Sequence, residues 1–181
     1  MTRISAAFKF PRTRHALTAV AALVLAADQV TKSLVVAADP SGGDRGLVSV
    51  RLVRNTGASF GIGAGHPVLI TLTAAAVLAV TAVLLFRVRS RAAALFLAAV
   101  LGGAMGNLAD RLFRSPGFGR GAVVDWIHVT GYPATFNVAD IAIRAGALGA
   151  AVAVLVASSR GRRVAGQAPP RPGPGSETPR D

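Results

Sequence analysis

The chain contains no cysteine. Disulfides, thiolate metal sites and thiol nucleophiles are therefore excluded. A single Trp and a single Tyr leave little for base stacking. Charge is scarce too: 15% of residues are charged, with 8 Asp+Glu against 20 Lys+Arg. A soluble domain of 181 residues would carry more. Apolar residues take the place of charge, at 52% of the chain, and that excess must be buried in protein or in lipid. The length allows one domain of ordinary size.

The net charge of +12 is nearly all arginine, clustered outside the apolar runs. That placement fits the loops of a membrane protein, and no nucleic-acid partner is expected. A bilayer core of about 30 Å needs roughly 20 apolar residues in helical form. Four stretches qualify: residues 15–38, 67–86, 92–112 and 138–157. In lipid every backbone amide must be satisfied within its own segment, so each is expected to be helical. Arg3, Lys9, Arg12 and Arg14 precede the first span, Arg87, Arg89 and Arg91 lie between the second and third, and Arg160, Arg162 and Arg163 follow the fourth. The positive-inside tendency puts all three clusters and both termini in the cytoplasm. The connections 39–66 and 113–137 then face outward, although they carry arginines as well.

The expected organisation is a basic lead (1–14), a membrane domain (15–158) and a Pro/Gly/Arg-rich tail (159–181) that reads as disordered. The first span has small residues at Ala26-Ala27 that suggest a cleaved signal peptide, but Asp28 and Lys32 run on without a break, so an uncleaved helix is expected. Residues 47–53 are rich in β-branched side chains and predict a strand. Residues 115–134 carry Pro, Gly and aromatic residues and predict a loop with a short helix.

Polar groups at membrane depth cost roughly 2.5–3.5 kcal/mol for Asp or Arg at a span centre, which makes them functional candidates. Here they are Asp28, Gln29 and Lys32 in the first span, Asn107, Asp110 and Arg111 in the third, and Asn137 and Asp140 at the head of the fourth. Asp125 lies in an apolar outer segment. With alternating span directions, all of them collect near the outer interface. Asp28 and Lys32 share a helix face, as do Asn107, Asp110 and Arg111. Those groups also suit a purely structural role, as ion pairs and amide clamps between helices. Asp125 and Asp140 sit among apolar residues, with only Arg144 at helical spacing from Asp140. They are the better candidates for chemistry. Two aspartates sharing one proton can hydrolyse a peptide: the ionised one activates water and the protonated one polarises the carbonyl.

Five stretches in order resemble the lipoprotein signal peptidases (signal peptidase II): 28–32 (DQVTK), 54–61 (RNTGASFG), 102–111 (GGAMGNLADR), 123–127 (VVDWI) and 136–140 (FNVAD). The resemblance implies a bacterial-membrane aspartic endopeptidase, without cofactor or metal, that cleaves prolipoproteins on the amino side of a diacylglyceryl-modified Cys. It implies Asp125 and Asp140 as the dyad, with Asp28, Asn55, Asn107, Asp110, Arg111 and Asn137 as supporting residues; Lys32 and Gly57, within the matching stretches, are further supporting candidates. It also implies four membrane helices with a small extracytoplasmic β-cradle and a loop helix, contact with membrane lipid, a monomer, and sensitivity to globomycin. Ser59 stands where many members have Ala, and Trp126 where Phe is common.

Three other readings compete, one of them a non-catalytic membrane scaffold, which does not explain why the costly residues converge. Residues 57–61 match the G-x-S-x-G pattern of serine hydrolases, with Ser59 as nucleophile and His128 as conceivable base. That elbow needs an α/β sheet, which this pattern of spans does not predict. A proton-coupled transporter or channel would need polar groups across the full membrane thickness. His15, His66 and His128 are scattered, so no metal centre is expected.

Overall fold

The computed structural model describes residues 11–40, 46–58, 63 and 65–166. Arg3 and Lys9 of the basic lead, Ser59, and the tail from residue 167 lie outside the described residues. The elements in order are α1 (Pro11–Ala38), β1 (Val48–Asn55), α2 (Pro67–Arg87), α3 (Arg91–Phe113), β2 (Val123–Val129), β3 (Thr135–Phe136) and α4 (Val138–Gly166). All four helices are long and apolar enough to cross a membrane. The fourth runs past the span read from sequence, continuing helically into the stretch expected to be disordered.

Local chemistry sets the helix ends. Proline opens α2 at a position where its missing N–H costs nothing. Ser90 caps α3, its hydroxyl accepting the Ala93 N–H at 3.3 Å. Asn137 precedes α4, and its side-chain oxygen accepts the Asp140 N–H at 2.9 Å.

The central helix is α3, which touches α1, α2 and α4. Small buried residues (Ala93, Ala94, Ala98, Gly102, Gly103, Ala104 and Gly106) let the neighbours approach its backbone. A Cβ on Gly103 would stand 2.7 Å from the Ala139 carbonyl, and one on Gly106 would overlap the Asp28 carboxylate. Near the Arg87–Arg91 turn, Leu17, Leu85, Ala94 and Ala98 form an apolar core. Elsewhere large apolar side chains point outward, among them Leu23, Leu34, Leu72, Leu148 and Leu155. Such a surface requires lipid rather than water as solvent.

The three strands form one antiparallel sheet in the order β1-β2-β3. Val53 pairs with Asp125 and Asn55 with Val123, and a register irregularity falls between Val50 and Val53. The predicted strand 47–53 is β1. Between α3 and α4, however, the described chain forms β2 and β3 and not the expected short helix. The physical reason is the run Val123-Val124: both are buried, and β1 offers them a ladder.

Candidate functional site

Residues of the sheet and of α2, α3 and α4 line one cavity of about 310 Å³. Asp125 comes from β2, Asp140 from the first turn of α4, Asn107 and Arg111 from α3, and Asn55 and Gly57 from the end of β1 and the turn after it. The rest of the wall is mainly apolar and includes Ile70, Ala74 and Val77 of α2, with Thr73, Thr135 and Arg144 among the polar exceptions.

Asp125 is 3% exposed. Its two oxygens accept the Asn55 amide at 3.0 Å and the Asn137 amide at 2.6 Å. Burial, and next the negative charge of Asp140, push its carboxyl up to about 6, against the pull of those two amides. Asp140 is half-buried and accepts the Asn107 amide at 3.0 Å. The amides are themselves oriented. Asn55 Oδ1 accepts the Gly57 N–H at 3.0 Å, a tight turn that aims its Nδ2 at Asp125. Asn137 uses its oxygen to cap α4, which aims its Nδ2 at Asp125 in the same way.

Beneath the carboxylates lies a fully buried ionic cluster. Lys32 Nζ sits 2.8 Å from Asp28 and 2.9 Å from Asp110, with all three side chains at 0% exposure. The two acids also take backbone donors. Asp28 accepts the Ala139 N–H at 3.0 Å and Asp110 the Val124 N–H at 3.1 Å. Each thus anchors the residue immediately before one of the cavity aspartates.

The sequence grouped Asp110 with Arg111. The structure separates them, because adjacent helical residues do not share a direction. Asp110 turns to Lys32 and to Arg114 Nε at 2.6 Å. Arg111 turns to the cavity, donating to the Gly57 carbonyl, and its Nη1 is buried without a partner among the described residues. Arg114 was overlooked from sequence, although its i,i+4 spacing from Asp110 is a recognisable signal. Gln29 also joins the cluster, donating to the Gly106 carbonyl and to Asp110. Arg144 lies over the Phe136 ring, 6.0 Å from its centre, at the cavity wall. Ser59 of the serine-hydrolase reading is outside the described residues, and His128 sits on β2.

Fold and cavity together define a multi-pass membrane protein with a carboxylate-bearing pocket at one end of its helix bundle. A sequence profile of the family "Signal peptidase (SPase) II" matches residues 20–156. The chain is 44% identical over 149 residues to a lipoprotein signal peptidase of Rhodococcus jostii, covering 79% of this chain and 74% of that one. A lipoprotein signal peptidase of Mycobacterium avium is 44% identical over 144 residues, covering 76% and 78%. One from Leifsonia xyli is 41% identical over 131 residues, covering 70% of this chain but only 61% of the relative's length. A bacterial membrane enzyme solved by the in meso method at 2.3 Å superposes with a TM-score of 0.66 at 20% identity, over 96% of this chain and 99% of that one. The chain belongs to the signal peptidase II family.

Proposed function

We propose that this protein removes the signal peptide from prolipoproteins, cutting on the amino side of a diacylglyceryl-modified Cys with water activated by Asp125 and Asp140. The observation that carries the reading is the meeting of two aspartates from separate segments on one cavity, each held by an oriented amide. Family membership supports the substrate class.

Catalysis begins with one proton on the pair. Two close carboxylates resist double ionisation, and burial strengthens that resistance at Asp125. The ionised carboxylate takes a proton from water, and the resulting hydroxide attacks the scissile carbonyl carbon. The protonated carboxyl donates to the carbonyl oxygen. When the C–N bond breaks, a proton passes to the leaving nitrogen, and the products are a carboxylate and an amine. The apolar wall from α2 gives the signal peptide and acyl chains a surface to follow. Arg111, with one amino group buried and unpartnered among the described residues, is suited to hold a substrate carbonyl.

The arginine clusters support a bacterial cytoplasmic-membrane location with both termini inside and the dyad near the outer face. The enzyme works as a monomer without metal or cofactor, in contact with membrane lipid, and globomycin inhibits it. The test is cleavage of a diacylglyceryl-modified precursor by purified protein. Asp125→Asn and Asp140→Asn are expected to abolish cleavage, and EDTA to leave the wild type unaffected. Retained cleavage in both variants would end the dyad reading.

A further inference from the structure

We infer that Lys32 is a positioning residue: its buried ammonium fixes which way the Asn107 amide faces, and so provides Asp140 with a hydrogen-bond donor. The inference rests on the reading of Asp125 and Asp140 as the catalytic pair.

An asparagine side chain has an accepting end and a donating end, and it can turn by half a revolution unless its neighbours forbid this. Lys32 offers only donors. Its Nζ stands 2.9 Å from Asn107 Oδ1, and the Asn137 amide donates to the same oxygen at 3.2 Å. Asn137 is itself held, because its oxygen caps the Asp140 N–H. With two donors on one side, Asn107 must present its oxygen there, which leaves its Nδ2 facing Asp140 Oδ1 at 3.0 Å. Turning the amide over would set donor against ammonium, donor against amide and oxygen against carboxylate.

The ammonium cannot drift away. Asp28 and Asp110 hold it from α1 and α3, and both acids are fixed by backbone donors. Asp125 does not depend on this arrangement, since its donors are Asn55 and Asn137. Among the described residues, Asn107 is the one side chain whose hydrogen bond reaches the Asp140 carboxylate. The charged groups around Asp140 are Asp125 on β2, Arg111 on α3 and Arg144 on its own helix, with Lys32 of α1 behind Asn107.

Two variants test this on the full-length protein in detergent, read as kcat, KM and pH profile on a diacylglyceryl-modified precursor. Asn107→Asp keeps the side-chain size and the acceptor for Lys32 but turns an anion toward Asp140. A kcat about 100-fold lower is expected, the size of a mispositioned reacting group, with KM little changed. The high-pH limb moves to higher pH, because a further negative charge opposes ionisation of the pair. Lys32→Gln offers both a donor and an acceptor, so only the Asn137 amide still orients Asn107, and a lower kcat is expected at a melting temperature that still reports a fold. Wild-type kcat and pH profile in Asn107→Asp overturns the inference. So does lost activity with an unmoved pH profile, which is the mark of a merely structural role. Failure of Asn107→Asp to fold overturns it as well, because the Lys32 contact should survive that change. A folded Lys32→Gln with wild-type kinetics overturns the part assigned to the lysine. The dyad reading fails separately, if Asp125→Asn and Asp140→Asn cleave at the wild-type rate.

Discussion

The two ends of this helix bundle are built on opposite principles. At the Arg87–Arg91 end, α1, α2 and α3 meet through Leu17, Leu85, Ala94 and Ala98, with no ionisable group in the cluster. At the sheet end, the helices meet through Lys32, Asp28, Asp110, Asn107 and Asn137. Apolar packing has no direction and tolerates exchange of one aliphatic residue for another. A buried hydrogen-bonded cluster has fixed directions, and losing one member leaves the others unsatisfied. The lesson is that, among the described residues, the costly buried ionic interactions stand beside the cavity that holds Asp125 and Asp140.

Substitutions at the two ends should therefore differ in kind. The largest effect is expected on catalysis: Asp125→Asn or Asp140→Asn should lower cleavage by at least about 1000-fold, measured as single-turnover rate. Next comes stability. Lys32→Met strands two buried carboxylates and should cost about 3–5 kcal/mol, read from denaturation in detergent. Equal tolerance of Lys32→Met and Leu85→Met would break the contrast between the ends.

A smaller effect concerns pH. The Asn55 amide pulls the Asp125 carboxyl down, and about 6 is where burial and Asp140 hold it against that pull. Removing that donor in Asn55→Ala lets the carboxyl rise further. The pair then keeps its proton to higher pH, and the alkaline limb of the activity profile should shift upward. A downward shift would contradict this assignment of donors. At the apolar end, Leu85→Ala should cost about 2 kcal/mol of stability, within the range for buried leucines, and leave the pH profile unmoved. The smallest effect is expected at Ser59. Ser59→Ala should keep cleavage within about twofold, as an ordinary substitution outside the named mechanisms would. Abolished cleavage there would favour the serine reading.

Much of this architecture could be read from the chain. Four helices follow from runs of about 20 apolar residues, because lipid enforces helical hydrogen bonding. β1 announced itself through a run rich in β-branched residues. Residues 123–129 did not, since their strand character depends on pairing with β1, some 70 residues earlier in the chain (Val53 with Asp125, Asn55 with Val123). The candidates within spans stood out because polar groups are expensive there, while Asn55 and Gly57 came from the family resemblance, and the structure brings Asp125, Asp140, Asn55, Gly57, Asn107 and Arg111 to one cavity. Lys32, Asp28 and Asp110 lie behind it, and Asn137 bridges the two. Sequence could not give the direction of each amide, nor the divergence of Asp110 from Arg111, because both depend on which helix stands opposite.

The anchoring of Ala139 by Asp28 and of Val124 by Asp110 has a consequence for biogenesis. Both acids are drawn together by one ammonium, so the two stretches that carry Asp125 and Asp140 find their moorings only after the first and third helices have docked. A nascent chain halted earlier still has α3 to pack its last helix against, but lacks the Asp28 mooring that fixes the start of that helix.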